Sequence, residues 1–312
     1  MKNLQKIKGD ASSRKFYRKW KKKSSSIVIL SEEEKIKNLL HYEAINRILI
    51  KNKILAPALY KECYNENYLE IQDFGDKTIY KILSKNSNKI SYFKKIIKLL
   101  LQIQSIKTRS IKDFKKKTFI VPKYERKILL KEANLFCEWY IKKNLSKKNR
   151  KKFKKKFKLI IYKLSSNLKL KDNIFVHRDF HVSNLMMYKN RIGVIDSQDA
   201  LIGNQAYDVA SLIDDVRLKT KNSLKNEIYN FYLSNNKTID KDKFKNDFEI
   251  LSILRNLKII GIFTRLAIRD NKRQYLKLIP YAWELINSRI HTNEIFKDLK
   301  ELLSKNFRGR IK

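Results

Sequence analysis

Residues 173–203 read NIFVHRDFHVSNLMMYKNRIGVIDSQDALIG, and this stretch decides the fold. It holds three short apolar runs, Ile174–Val176, Leu185–Tyr188 and Ile192–Ile195, the last two joined by the polar turn Lys189–Arg191. Runs of this length bounded by turn residues predict strands. The flanking chain instead shows apolar residues at helical spacing, so the stretch is an extended island in a helical region. Its polar residues collect at the strand ends, where a rigid frame can aim them at one point.

Within the island, HRDFHVSN (His177–Asn184) sets an Asp five residues before an Asn, and Asp196 closes the strand IGVID twelve residues later. H-R-D-x-x-x-x-N followed by a strand-terminal Asp is the layout of metal-assisted phosphoryl transfer. A hydroxyl nucleophile needs a carboxylate to orient it and take its proton, which suits Asp179. A triphosphate needs Mg²⁺ held by hard oxygens, which suits the amide of Asn184 and the carboxylate of Asp196. His177 fits a loop-bracing role. His181 either touches substrate or stabilises the loop, and Asp199 either assists the metal or a substrate hydroxyl, or holds a turn.

Upstream, residues 9–30 predict a turn and a β-hairpin ending in SIVIL. A helix follows from Glu32 to near Asn52, with Ser31 placed to cap it ahead of Glu34. Two further strand-like runs flank a turn at Asn65–Asn67. The result is a small lobe, residues 1–75, of sheet plus helix. Residues 76–312 form a larger lobe, helical apart from the island, with periodic segments at Ile90–Ile106, Tyr124–Ile141, 149–168, Tyr207–Arg217, Lys225–Leu233, Phe244–Ile268 and Tyr275–Ile290. The expected fold class is α+β.

Composition narrows the alternatives. In 312 residues, 43% are hydrophobic and 11% aromatic, spread along the chain, which excludes a disordered, collagenous or repeat protein. The net charge of +41 invites a nucleic-acid partner, but the 56 Lys against 16 Arg favour a solvated coat over phosphate or base recognition. The run Lys147–Lys158 reads as the polar face of a docked helix, with Phe157, Ile160, Ile161 and Leu164 as its buried stripe. No segment approaches the ~20 apolar residues of a membrane span, and the first residues lack a secretion-type core, so a cytoplasmic protein without a membrane partner is expected. Cys63 and Cys137 read as reduced thiols with no disulfide.

The island resembles the aminoglycoside phosphotransferase and choline kinase superfamily, which pairs such a loop with a later Asp-containing loop and an Asp-led helix, here IDSQDALIG and AYDVASLIDDVR. More narrowly it resembles the bacterial N-acetylmuramate/N-acetylglucosamine anomeric kinases of cell-wall sugar salvage. Four more stretches carry that likeness across most of the chain: GDASSRKFYR, YLEIQDFGD, NLFCEWYI and LRNLKIIGIFTRLAIRDNKRQYL.

The resemblance implies a protein-kinase-like two-lobed fold using ATP and Mg²⁺ on a small sugar, without a specific nucleic-acid partner. Asp179 is then the base, Asn184 and Asp196 the magnesium ligands, and Gln72, Asp73 and Phe74 the hinge whose backbone meets adenine. Asp208 braces the catalytic loop. Ser12, Ser13 and Arg14 cover the ATP phosphates. Arg255 and Arg265 either fork a sugar carboxylate or are helix cations, and Arg269 reads as a surface cation. Two departures stand out. SIVIL lacks the Lys that protein kinases pair with a helix Glu, which leaves Glu43 without that partner and Arg14 or Lys15 as substitutes; and Ser197 stands where an aromatic residue is usual. The rival readings are a choline- or aminoglycoside-type phosphotransferase and a degenerate kinase fold that binds nucleic acid.

Overall fold

A computed structural model describes residues 4–7, 14–22, 24–31 and 36–311. The chain divides into two units, Met1–Pro122 with Ile174–Ile202, and Lys123–Asn173 with Gly203–Lys312. The first takes in the expected 1–75 segment and adds both residues 76–122 and most of the extended island.

The first unit is built on a five-stranded antiparallel sheet of order β1-β2-β3-β5-β4. Its strands are β1 (Leu4–Ile7), β2 (Lys15–Lys21), β3 (Ser24–Leu30), β4 (Leu59–Cys63) and β5 (Tyr68–Gln72). Register places Phe16 opposite Ile29 and Ile29 opposite Leu69, a row of apolar side chains crossing three strands. Helix α1 (Ile36–Lys51) covers that row with Leu39 and Tyr42, and Ile71 and Tyr64 complete the cluster. Ile29, Leu39 and Leu69 are fully buried. Each such side chain contributes roughly 1.5–3 kcal/mol. The expected turn at Asn65–Asn67 is present, with Asn67 in the left-handed region at φ 59°, which Asn tolerates better than most residues. The Ser31 cap paired with Glu34 falls partly on residues 32–35, outside the described residues.

The unit continues through α2 (Ile79–Lys85), α3 (Lys89–Gln104), β6 (Ser110–Lys112) and β7 (Thr118–Ile120). It then takes up the island as β8 (Ile174–Val176), β9 (Leu185–Tyr188), β10 (Arg191–Val194) and β11 (Leu201–Gly203), paired as β9–β10 and β8–β11. The β6–β7 hairpin corrects the expectation that the island is the one extended segment after Asp76. Three-residue strands around a Lys-rich turn carry too few apolar residues to show a period.

The second unit is helical: α4 (Arg126–Leu135), α5 (Lys142–Asn144), α6 (Lys147–Ser166), α7 (Ala206–Ile213), α8 (Asn222–Ser234), α9 (Lys241–Arg269), α10 (Ile279–Ile290) and α11 (Lys297–Asn306). The segment expected as one helix from Tyr124 to Ile141 is broken by a π-helical turn at Phe136–Ile141. Gly261 of α9 lies against it; a Cβ there would sit 2.4 Å from the carbonyl carbon of Leu135. Helix α6 exposes its lysines and buries Phe157, Ile161 and Leu164 as the sequence predicts, but Ile160 of the expected stripe is only half-buried and Phe153, one turn earlier, is buried in addition. Asp214 is fully buried, bonded by Lys225, Arg289 and Ser252. Both cysteines are free, and no helix among the described residues is long and apolar enough to cross a membrane.

Candidate functional site

Backbone and side-chain bonds draw the island's polar residues together. Asn184 donates from Nδ2 to the carbonyl of Asp179 (3.1 Å), and its own carbonyl accepts the N–H of Ile195 (3.0 Å). The Nε2 of His177 lies 3.2 Å from the Ile195 carbonyl. Asp179, Asn184 and the strand end carrying Asp196 are therefore stapled into one loop cluster. His177 is wholly buried, and burial first of all lowers its pKa, so the ring stays neutral. His181 is buried at the head of the short 3₁₀ turn Val182–Asn184, where its carbonyl accepts the Asn184 N–H.

Beside these bonds, Arg178 at φ 75° and Asp196 at φ 62° adopt the left-handed conformation that L side chains rarely take. Neighbouring bonds hold them. Arg178 reaches Asp199 at 3.4 Å, and Asp199 also accepts from Nε2 of Gln198 at 3.0 Å. Ser197 is completely buried and donates to Oδ1 of Asn46 on α1 at 2.5 Å. A hydroxyl thus ties the Asp196 loop to α1.

Arg14 stands just before β2 and is buried. Its Nη2 meets Asp196 at 2.5 Å and its Nη1 meets Oε1 of Gln198 at 2.9 Å. The rings of Phe16 and Tyr42 flank the guanidinium at 5.5 and 5.6 Å. Glu43, the helix carboxylate for which Arg14 or Lys15 was the expected partner, pairs with Arg47 one turn along α1.

The hinge candidates end β5. Gln72 donates to the Tyr188 hydroxyl at 3.3 Å, and the Phe74 ring packs on Tyr188 at 4.9 Å between centroids. Asp73 receives Arg18, Ser25 and the Gly75 N–H, and although burial opposes it, those bonds hold its carboxyl below the usual range. Gly193 on β10 lets Phe74 approach: a Cβ there would lie 2.7 Å from its ring. Gln198, Tyr188, Gly193 and Asn46 were not singled out in sequence. Only Gly193 carried a signal, an isolated glycine inside a strand run, which marks close backbone approach.

Arg14, Gln72, Asp73, Phe74, Asp179, His181, Asn184, Asp196 and Asp199 all belong to the first unit. Asp208 (fully buried, first turn of α7), Arg255 (buried on α9) and Arg265 (half-buried on α9) belong to the second. Ser12 and Ser13 lie outside the described residues.

The donors present suit a divalent cation. Fixing Nδ2 of Asn184 leaves Oδ1 as the amide atom free to act as ligand, and the Asp196 side chain is 36% exposed. Among the described residues no group of three or more His, Cys, Asp or Glu is arranged as a metal cage. Two protein oxygens are what Mg²⁺ commonly takes where phosphates and waters fill its shell.

The sequence profile of the Phosphotransferase enzyme family matches residues 3–236. An N-acetylmuramate/N-acetylglucosamine kinase of Pseudomonas putida is 26% identical over 301 residues, covering 95% of this chain and 86% of the relative. One from Neisseria meningitidis serogroup B is 25% identical, covering 87% and 80%. An ADP-bound aminoglycoside phosphotransferase superimposes with a TM-score of 0.60 at 14% identity, covering 94% of each chain.

Proposed function

The chain belongs to the Phosphotransferase enzyme family, and from that premise we propose that it transfers the γ-phosphoryl group of MgATP to the anomeric hydroxyl of N-acetylmuramate or N-acetylglucosamine, in cytoplasmic salvage of cell-wall sugars. The observation that carries this reading is the stapling of Asp179, Asn184 and the Asp196 strand end into one cluster. Supporting it, both named relatives are kinases of these sugars and align over most of the chain.

Asp179, partly open to solvent, accepts the proton of the attacking hydroxyl and aims its oxygen at phosphorus. Asn184 and Asp196 would hold Mg²⁺, which when bound would supply charge neutralisation to the phosphates. Ser12, Ser13 and Arg14 line the phosphates, and Gln72, Asp73 and Phe74 present backbone to adenine. His181, Asp199, Arg255 and Arg265 are the candidates for sugar contact, and His177 and Asp208 brace the loop. Residues 1–75 form the smaller, nucleotide-covering lobe and 76–312 the larger.

The test is ADP release from purified protein with MgATP across a panel of amino sugars, choline and aminoglycosides, repeated with Asp179→Asn. Turnover confined to the amino sugars and lost in the variant supports the reading. Preference for choline or an aminoglycoside, or undiminished turnover by the variant, rejects it.

A further inference from the structure

We propose that Arg14 is a latch on the metal site: it occupies Asp196 while no nucleotide is bound, and it must leave that carboxylate for the phosphates when the metal enters. The inference rests on the reading of Asp196 as a metal ligand and extends it to how the site is kept before substrate arrives.

The geometry is a competition for one oxygen. Nη2 of Arg14 sits on Oδ1 of Asp196 at 2.5 Å, so a divalent cation that takes this oxygen along the same direction displaces the guanidinium. Charge repulsion adds to the exclusion. Burial is unequal across the pair, with 4% of the Arg14 side chain exposed against 36% of Asp196. The carboxylate is thus approachable from solvent while its present partner is enclosed.

Arg14 also has a pivot. Its Nη1 is held by Oε1 of Gln198, and the far end of that amide is fixed by Nε2 donating to Asp199. The Phe16 and Tyr42 rings flank the guanidinium. Movement about the Gln198 contact therefore releases Asp196 without returning the whole cation to water. A polyphosphate offers the freed Nη2 the type of planar, charge-assisted contact that guanidinium groups favour. This assigns to Arg14 the nucleotide-facing cation absent from β3, since the helix carboxylate Glu43 pairs with Arg47 instead.

Mn²⁺ binding without nucleotide, read as free Mn²⁺ by electron paramagnetic resonance, tests the latch in the full-length protein. The variants are Arg14→Met, Arg14→Lys, Asp196→Asn and the Arg14→Met/Asp196→Asn double, each checked for native circular dichroism. Arg14→Met is expected to bind Mn²⁺ about tenfold more tightly than wild type, the factor for one lost charge-assisted competitor. The same variant is expected to bind MnADP more weakly, so the two affinities move in opposite directions. Arg14→Lys, which keeps the charge but not the planar fork, falls between and serves should the methionine variant fail to fold. A bracing arginine would weaken both affinities or neither, and either result overturns the latch. If the double variant keeps the tight Mn²⁺ binding of Arg14→Met, Asp196 is not the ligand, and the site assignment falls together with the latch.

Discussion

Ser197 and Asn46, 151 positions apart, share a 2.5 Å hydrogen bond that is buried on both sides and joins the loop carrying Asp196 to helix α1. Asn46 also donates to the Pro57 carbonyl at 3.3 Å, so the amide spans from the Asp196 loop to the segment entering β4. In this chain α1 is coupled to the Asp196 loop by polar contact, where an aromatic side chain would couple it by packing.

Ser197→Ala should therefore destabilise the protein by ~1–3 kcal/mol, since it strands the buried Asn46 oxygen without a donor. Ser197→Ala combined with Asn46→Leu should cost less than the two single substitutions added together, because each single removes the same Ser197–Asn46 bond, while the Pro57 carbonyl loses its donor only with Asn46. Urea denaturation of wild type, both single variants and the double reads this; a double variant less stable than the sum of its singles contradicts it.

Gly193→Ala should place a methyl against the Phe74 ring and the Leu55 side chain, where Cβ distances of 2.7 and 3.2 Å leave no room. Overpacking of this kind costs ~1–3 kcal/mol. Because Phe74 follows Gln72 and Asp73, the displaced ring should raise the KM for ATP more than it lowers kcat. Thermal melts and steady-state kinetics check both halves.

Glu70 sets an acid limit for the sheet. Burial would raise its carboxyl, but bonds from Lys19, Ser26 and Lys21 outweigh it and lower the value from 4.5 to about 2. A carboxylate held below its unfolded value contributes stability that is complete above that value and is lost as pH falls through the folded one. Stability should decline from pH 4.5 towards 2, with Asp73 and Asp76 adding in the same sense. Glu70→Gln should flatten this decline in urea titrations at successive pH values. A profile as steep as wild type would remove Glu70 from the account.

Asp214→Ala should cost roughly 3–5 kcal/mol, because it leaves the buried Lys225 and half-buried Arg289 cations without their shared carboxylate. Differential scanning calorimetry measures the loss. A change within the range of an ordinary surface substitution contradicts the assigned geometry.

What the sequence displayed and what it concealed divide along physical lines. The island was legible because its strands are apolar and its turns polar over a few residues, and the same locality fixed Asp179, Asn184 and Asp196 relative to one another. Strand β1, four mostly exposed residues, and the β6–β7 hairpin lack the apolar residues that make a period visible. Helix α11 carries its pattern in only three buried leucines, Leu299, Leu302 and Leu303, within ten residues rich in charge. The π-turn at Phe136–Ile141 keeps a helix-like apolar spacing and gives no local sign of the extra residue. The Arg14–Gln198 bond joins residues 184 positions apart, and only the folded chain brings them together.

The most direct measurement is the identity of the phosphorylated product. Incubation with MgATP and N-acetylmuramate or N-acetylglucosamine, followed by ³¹P NMR before and after mild acid, locates the transferred group. The account predicts a phosphorus signal coupled to the anomeric proton and lost on acid treatment. A phosphoryl group on any other hydroxyl, or ADP formed with no sugar phosphate, would contradict it.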